Sequence, residues 1–357
     1  MASKVYFTRL STGDDISLAQ EKILKLFKSS GLDECYQSGE VVGLKIHFGE
    51  EGNRGYIKPQ YVKPIAREIK SKGAKPFLTD TNTLYVGQRS NSVDHLNLAY
   101  RHGFTMENAE SPIVISDGLL GDAETEIKIA GIHFKKVSLA TDAIKANALI
   151  VLSHITGHLA TGLGGAIKNV GMGLASRKGK MRQHSDMKPQ VKDDKCTACQ
   201  ECIQWCPTNA ISINGKVAFI NRKVCIGCGE CLTVCRFNAI KYNFKVESKI
   251  LQEKMAEHAL GVAKAKGNKI GYMNFLWFVS KDCDCMATTE TDPIIKDIGV
   301  LASKDIVAID KACYDLIKKE TGKTLEAHSY PHIDGEIQLR YGEKIGLGSM
   351  KYELIEI

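Results

Sequence analysis

Residues 196–211 read C-T-A-C-Q-E-C-I-Q-W-C-P-T-N-A-I, and residues 225–240 read C-I-G-C-G-E-C-L-T-V-C-R-F-N-A-I. Each copy is C-x2-C-x2-C-x3-C, and the second follows the first at a constant offset of 29 residues, from Cys196 to Cys225. Three thiolates on one tight loop can each bind one iron of a cubane. The fourth cysteine lies a helical turn further on, points away and ligates the other cluster. The spacing therefore predicts one [4Fe–4S] cluster on Cys196, Cys199, Cys202 and Cys235, and another on Cys225, Cys228, Cys231 and Cys206. Zinc sites use C-x2-C pairs, but not four cysteines per copy crossed between copies. A disulfide framework does not suit a chain of 357 residues whose N-terminus, M-A-S-K-V-Y-F-T-R-L, has no apolar signal region. Arg236 stands where Pro207 follows the first block, which changes local polarity and not ligation.

This length predicts two or three domains. A hydrophobic fraction of 43% and a charged fraction of 25% describe an ordinary soluble chain. No run of 18 apolar residues occurs, so no membrane span is expected, and a cytoplasmic location, where thiols stay reduced, follows. The formal charge is +7 with neutral thiols. Eight cluster thiolates and two +2 cores would bring it to about +3, too little to argue for a nucleic-acid partner.

The flanks of the cysteine block have another texture. Apolar runs at 41–48, 75–79, 148–153 and 269–279 read as strands; amphipathic stretches at 16–29, 60–72, 247–266 and 305–320 read as helices. The expected fold is an α/β body, in two lobes, with an inserted α+β ferredoxin-like domain for two clusters of the bacterial type. The body spans 1–187 and 246–357, and the insert spans 188–245 after a polar lead-in, Lys188 to Lys195.

A second dense signal follows the strand at 148–153. Residues 153–185 read S-H-I-T-G-H-L-A-T-G-L-G-G-A-I-K-N-V-G-M-G-L-A-S-R-K-G-K-M-R-Q-H-S, with three histidines, His154, His158 and His184. Neither a P-loop nor a dinucleotide fingerprint is present. Glycines let backbone approach a ligand and turn N–H groups toward an anion. Lys168, Arg177, Lys178, Lys180 and Arg182 offer cations for a carboxylate or phosphate; the plainer reading is a glycine-rich loop with a solvated basic face. His47 ends a predicted strand beside Lys45 and Glu50, where binding residues often emerge. Cys283 and Cys285 form C-x-C, as ligands for a third metal, as site lining or as two buried thiols; Cys35 and Cys313 read as structural.

The phrases L-K-I-H-F-G-E at 44–50, S-H-I-T-G-H with G-G-A-I-K-N-V-G-M-G, D-C-D-C at 282–285 and D-I-G-V-L-A-S-K-D-I-V-A-I-D-K-A at 297–312 resemble domain-of-unknown-function family 362 along nearly the whole chain. More distantly, His158, Gly162, Gly165, Lys168, Gly173, Ala175, Ser176, His184 and Ser185 resemble the nickel-pincer lactate racemase family over about 30 residues. That resemblance implies an acid/base role for His158, with Lys168 and His184 holding a cofactor or substrate. The racemases' second catalytic histidine has no counterpart here; Asp80-Thr81-Asn82-Thr83 stands near where it would be sought.

The expected function is an iron–sulfur oxidoreductase passing low-potential electrons to a small anionic substrate. His158, Lys168 and His184 are the candidate catalytic residues, and Lys45, His47 and Asn169 the candidate substrate-binding ones. The expected cofactors are the two clusters, with a further metal or organic cofactor open. The expected partners are a redox protein of ferredoxin or reductase type and an unidentified small molecule. A non-catalytic ferredoxin-type carrier and a racemase-like proton-transfer enzyme with accessory clusters are the alternatives. Anaerobic elemental analysis is expected to give about eight iron and eight sulfide per chain. Cys206→Ser is expected to damage the cluster of the second block and spare that of the first.

Overall fold

The stretch A-L-I-V-L-S-H forms a strand, Ala148–His154, that is buried along its whole length. Such a run, apolar on both faces, is what the interior of a parallel sheet requires. In the computed structural model, which describes residues 2–85, 87–184, 188–225, 230–241, 247–285 and 292–357, this strand lies within an eight-stranded sheet. The strands are β1 (Ser3–Thr8), β2 (Val41–Lys45), β3 (Lys75–Asp80), β4 (Ile113–Ile115), β5 (Ala148–His154), β6 (Ile270–Leu276), β7 (Gly299–Ser303) and β8 (Tyr352–Glu356). Their order is β8-β1-β7-β6-β5-β2-β3-β4. Only β7 runs against the rest. Strands from before residue 188 and from after residue 246 thus share one sheet.

Side chains alternate across β5, and each face has its own core. Leu149 and Val151 enter one apolar cluster; Ala148, Ile150 and Leu152 enter the other. Helices α1 (Ile16–Ser29) and α2 (Pro59–Ser71) cover the second face through Ile23, Leu26, Phe27, Val62, Ile65 and Ile69. Helix α3 (Ala166–Gly171) covers the first face, together with α5 (Ser248–Lys266) and α6 (Ile306–Thr321). Between α3 and α5 comes α4 (Arg177–Gln183). The long helices start where sequence places them because each entry is marked. Asp15 accepts the N–H groups of Ser17 and Leu18, and Asp305 those of Val307 and Ala308. The strand expected over 41–48 stops at Lys45, where the chain leaves the sheet to line a cavity.

Within 188–241 the described residues make two small antiparallel pairs, Gln190–Val191 with Ile240–Lys241 and Ile211–Asn214 with Val217–Ile220. Two short helices, Glu201–Gln204 and Glu230–Val234, carry cysteines. This block has its own apolar cluster, built on Ile211, Ala218, Ile220 and Ile240 with cysteines among them. The pairing of Gln190 with Lys241 brings its two ends together. The expected boundaries, 187/188 and 245/246, fall beside or among residues 185–187 and 242–246, outside the described residues.

One buried carboxylate ties the glycine-rich segment to the body. Asp310 of α6 accepts the N–H groups of Ala166 (2.8 Å) and Ile167 (2.9 Å) and the side-chain amide of Asn274 in β6 (2.7 Å). A Cβ on Gly165 would sit 2.6 Å from Asp310 Oδ1, so only glycine lets the start of α3 come this close. Asp310→Ala, which leaves two buried backbone donors without an acceptor and the Asn274 amide with only the Cys313 sulfur, is expected to cost roughly 2–4 kcal/mol in chemical denaturation. Gly165→Ala is expected to destabilise as well, by forcing α3 away from Asp310.

Candidate functional site

The parallel strands run in order β6-β5-β2-β3-β4. From β2 the chain proceeds one way to β3 and β4, and from β5 the other way to β6. The sheet order therefore reverses between β2 and β5, and ligands of open α/β sheets bind beyond the carboxyl ends of the strands at such a point. A cavity of about 710 Å³ lies there. His47 after β2, Asp80 at the end of β3, His154 at the end of β5 and Lys168 and Asn169 of α3 all line it.

The floor is a buried ionic network. Lys45 Nζ lies 2.9 Å from Asp80 Oδ1 and donates to Asn169 Oδ1 at 2.6 Å. Arg89 reaches Asp80 at 3.4 Å and Glu50 at 3.2 Å. Burial would push the Asp80 carboxyl up, but Lys45 and its other cationic neighbours hold it well below the usual range. Arg89 stays charged despite its burial, held by Tyr85, Asp80 and Glu50. Asn169 is fixed in turn, its amide donating to the Leu152 carbonyl (2.9 Å) and to Ser153 Oγ (3.0 Å).

Above this floor stand groups of another kind. Lys168 lines the cavity, and among the described residues its ammonium has no hydrogen-bond or ion-pair partner. Burial pushes its pKa down to about 8. His158 Nδ1 accepts the backbone N–H groups of Ala160 (3.1 Å) and Thr161 (3.0 Å). Burial, with Lys168 and His184 near, holds it well below 6.5, so the ring is neutral and its one proton sits on Nε2. His47 repeats the arrangement: Nδ1 accepts the Gly49 N–H at 2.9 Å, burial and Arg89 keep the ring neutral, and Nε2 has no partner among the described residues. His184 also lines the cavity, pushed down to about 4 by burial and by Lys254.

The structure thus gathers His47, His158, Lys168, Asn169 and His184 around one cavity, with Lys45 beneath it. Ser185 lies outside the described residues. The other cations of the segment divide. Lys180 lines the cavity and donates to Thr81 and to the Ala175 carbonyl. Lys178 pairs with Glu124 at 2.9 Å, Arg177 donates to the Leu120 carbonyl, and Arg182 lies over the Phe134 ring, so these three serve packing and not the cavity.

Several contributors carried no local signal. Arg89 and Tyr85 follow β3 in an irregular stretch. His154 donates from Nδ1 to Asp284 at 2.9 Å and from Nε2 to the Trp277 carbonyl at 2.9 Å; burial opposes its charge, but Asp284 raises its pKa above the usual value. His95 is buried 3.8 Å from Asp80, near the place where a second histidine was sought, but it does not line the cavity. Cys283 and Cys285 are two cavity-lining cysteines joined as a disulfide, not free thiols.

In the cysteine block, Cys196, Cys199, Cys202 and Cys235 line one small cavity of their own. Backbone N–H groups of Ala218 and Ala239 donate to the sulfurs of Cys196 and Cys235, each at 3.3 Å, and that of Ala210 to Cys206 at 3.2 Å. Cys228 lies outside the described residues. The block touches the large cavity's wall: Leu232 packs on Leu84 and Met181, and Leu84 lines that cavity. Among the described residues no helix is long and apolar enough to cross a membrane.

The profile of the family described as domain of unknown function DUF362 matches residues 42–315, which hold both the cavity and the cysteine block. The chain belongs to the DUF362 family. No curated protein matches it in sequence. Among solved structures, the lactate racemase apoprotein from Thermoanaerobacterium thermosaccharolyticum matches at 12% identity and a TM-score of 0.44, over 89% of this chain and 57% of that one. A Thermotoga maritima protein solved as a structural-genomics target matches at 10% identity and a TM-score of 0.45, over 85% of this chain and 59% of that one. This DUF362 chain therefore spans less than two thirds of either.

Lys168 has a measurable consequence. Its ordinary pKa of 10.5 falls to about 8 in the folded chain. Between those values the unfolded chain holds the proton and the native one does not, so stability rises with pH across that window. Lys168→Met is expected to raise the melting temperature at pH 7, with the gain fading as pH climbs from about 8 toward 10.5, read by thermal scans across pH.

Proposed function

We propose that this chain is an iron–sulfur oxidoreductase that reduces a small anion bound in the 710 Å³ cavity. One observation carries the binding half. Three hydrogen-bond donors, Lys168 Nζ and the Nε2–H groups of His47 and His158, serve the cavity, and the nearby carboxylates are engaged elsewhere: Asp80 and Glu50 with Lys45 and Arg89, Asp284 with His154. Donors without acceptors in a shielded site call for a carboxylate or phosphate.

The redox half rests on the cysteine block. Four thiols around one small cavity, with N–H groups aimed at sulfur, fit a cubane held by Cys196, Cys199, Cys202 and Cys235. Cys206, Cys225 and Cys231 supply the described part of a second set. When bound, such clusters supply single electrons at low potential. The contact of Leu232 with Leu84 sets this block against the cavity wall, which supports electron delivery to a bound anion and not to a remote partner alone.

The geometry redistributes the roles expected from sequence. His158 has its proton on Nε2 and a pKa far below neutrality, so it acts as a fixed N–H donor to developing negative charge and not as a proton source. Lys168, at about 8, is matched to proton transfer near neutral pH and takes that role. A racemase-type reaction would need two bases, and His47 and His158 both present N–H instead. A simple electron carrier would have no use for a cavity with three uncommitted donors.

A panel of small carboxylates and phosphates, offered anaerobically to the dithionite-reduced protein, tests this reading. One class is expected to restore the visible absorbance. Lys168→Gln is expected to abolish that recovery with iron content unchanged, and in the wild type anion binding is expected to weaken as pH rises through about 8. A protein that binds no anion and is reoxidised by none would overturn the proposal.

A further inference from the structure

The C-x-C stretch is not used by that reading, yet it is built into the same cavity. Cys283 and Cys285 are bridged with α-carbons 5.3 Å apart, inside the ordinary span for such a bond. The loop is strapped on three sides. The Glu50 N–H donates to the Asp284 carbonyl (2.9 Å), the Tyr85 hydroxyl to the Cys285 carbonyl (3.1 Å), and His154 to the Asp284 carboxylate (2.9 Å). Cys283 is buried, whereas Cys285 is partly open to the cavity.

One nitrogen of His158 and the two sulfurs lie within 4.8 Å of one another. That trio would suit a thiophilic metal by donor type. The outer shell argues otherwise. A ligating histidine normally donates its other ring N–H to a carbonyl or carboxylate. His158 does the reverse, since Nδ1 accepts two backbone N–H groups. Nε2 therefore keeps its proton and has no lone pair for a metal. An N–H beside sulfur stabilises a thiolate instead.

We propose that Cys283 and Cys285 are a redox-active pair that undergoes thiol–disulfide exchange with a small dithiol entering the cavity, with His158 Nε2–H stabilising the departing thiolate. The reductant's first sulfur, giving up its proton, attacks the accessible Cys285 sulfur. A bond forms there, the Cys283–Cys285 bond breaks, and Cys283 leaves as a thiolate that takes a proton from solvent. The reductant's second sulfur then attacks its own first sulfur and releases Cys285 in the same way. The dithiol loses two electrons and two protons to become a cyclic disulfide, and the cysteine pair gains both. Nothing in this exchange passes through the cysteine block, so it stands whether or not that block holds iron.

The test is thiol mapping on the intact chain, purified anaerobically without added thiol, acid-quenched, and alkylated before and after dithiothreitol. In the wild type neither Cys283 nor Cys285 is expected to be alkylated before reduction and both after it. The rate of opening is expected to fall about tenfold or more in His158→Ala, the loss of a hydrogen bond to a charged group, and to recover in large part in His158→Gln, which keeps an N–H. Both cysteines alkylated from the outset would overturn the proposal. So would protection that a chelator removes and that tracks one divalent metal per chain, which would mark a metal site. Equal opening rates in wild type, His158→Ala and His158→Gln would remove His158 from the step.

Discussion

The site depends on four charges sealed beneath it. Lys45 and Arg89 are matched by Asp80 and Glu50, and all four are buried. A network of this kind survives burial only when each charge is paired and hydrogen-bonded, and removing one member leaves another unpaired at large cost. Its pairing is complete within itself. The ammonium of Lys168, added above it, consequently has no carboxylate left to neutralise it, and the cavity holds a standing positive charge. The carboxylates that would otherwise have quenched it are spent on holding strand ends β2 and β3 in register with the loop that carries Arg89.

How much of this was legible in sequence follows from what makes a local signal. The strand A-L-I-V-L-S and the capped helices were readable because burial on both faces and caps at helix starts are properties of neighbouring residues. That Lys168 and His158 share one segment after that strand was readable, because glycine-rich chain follows it, and both line the cavity. Arg89 was not, since its partners Glu50 and Asp80 are separated from it by 39 and 9 residues in an irregular stretch. The pairing of His154 with Asp284 spans 130 residues and leaves no mark on either phrase. The basic run at 177–182 misled for a related reason. Composition counts cations but not the partners that the fold brings to them, and Glu124, the Leu120 carbonyl and the Phe134 ring take three of them out of the cavity.

The histidines make a similar point about chemistry. Sequence supplies an imidazole, but the two backbone N–H groups that reach His158 Nδ1 decide which nitrogen faces the cavity bearing a proton. The tight turn from His158 through Thr161 is thus a chemical instruction as well as a shape, and the turn from His47 to Gly49 gives the same instruction from the other side of the switch point.

The contact of Leu232 with Leu84 and Met181 carries a consequence for the life of the chain in a cell. Leu84 and Met181 are buried, and Leu232 of the cysteine block helps to cover them. A block so small, with cysteines threaded through its apolar cluster, has little core of its own. Where the block fails to close, two large apolar side chains beside the cavity come into water, and the chain acquires a sticky patch. Quality control can therefore read whether the cysteine block is closed from the surface of the α/β body, so that chains with an open block are drawn toward chaperones and proteolysis.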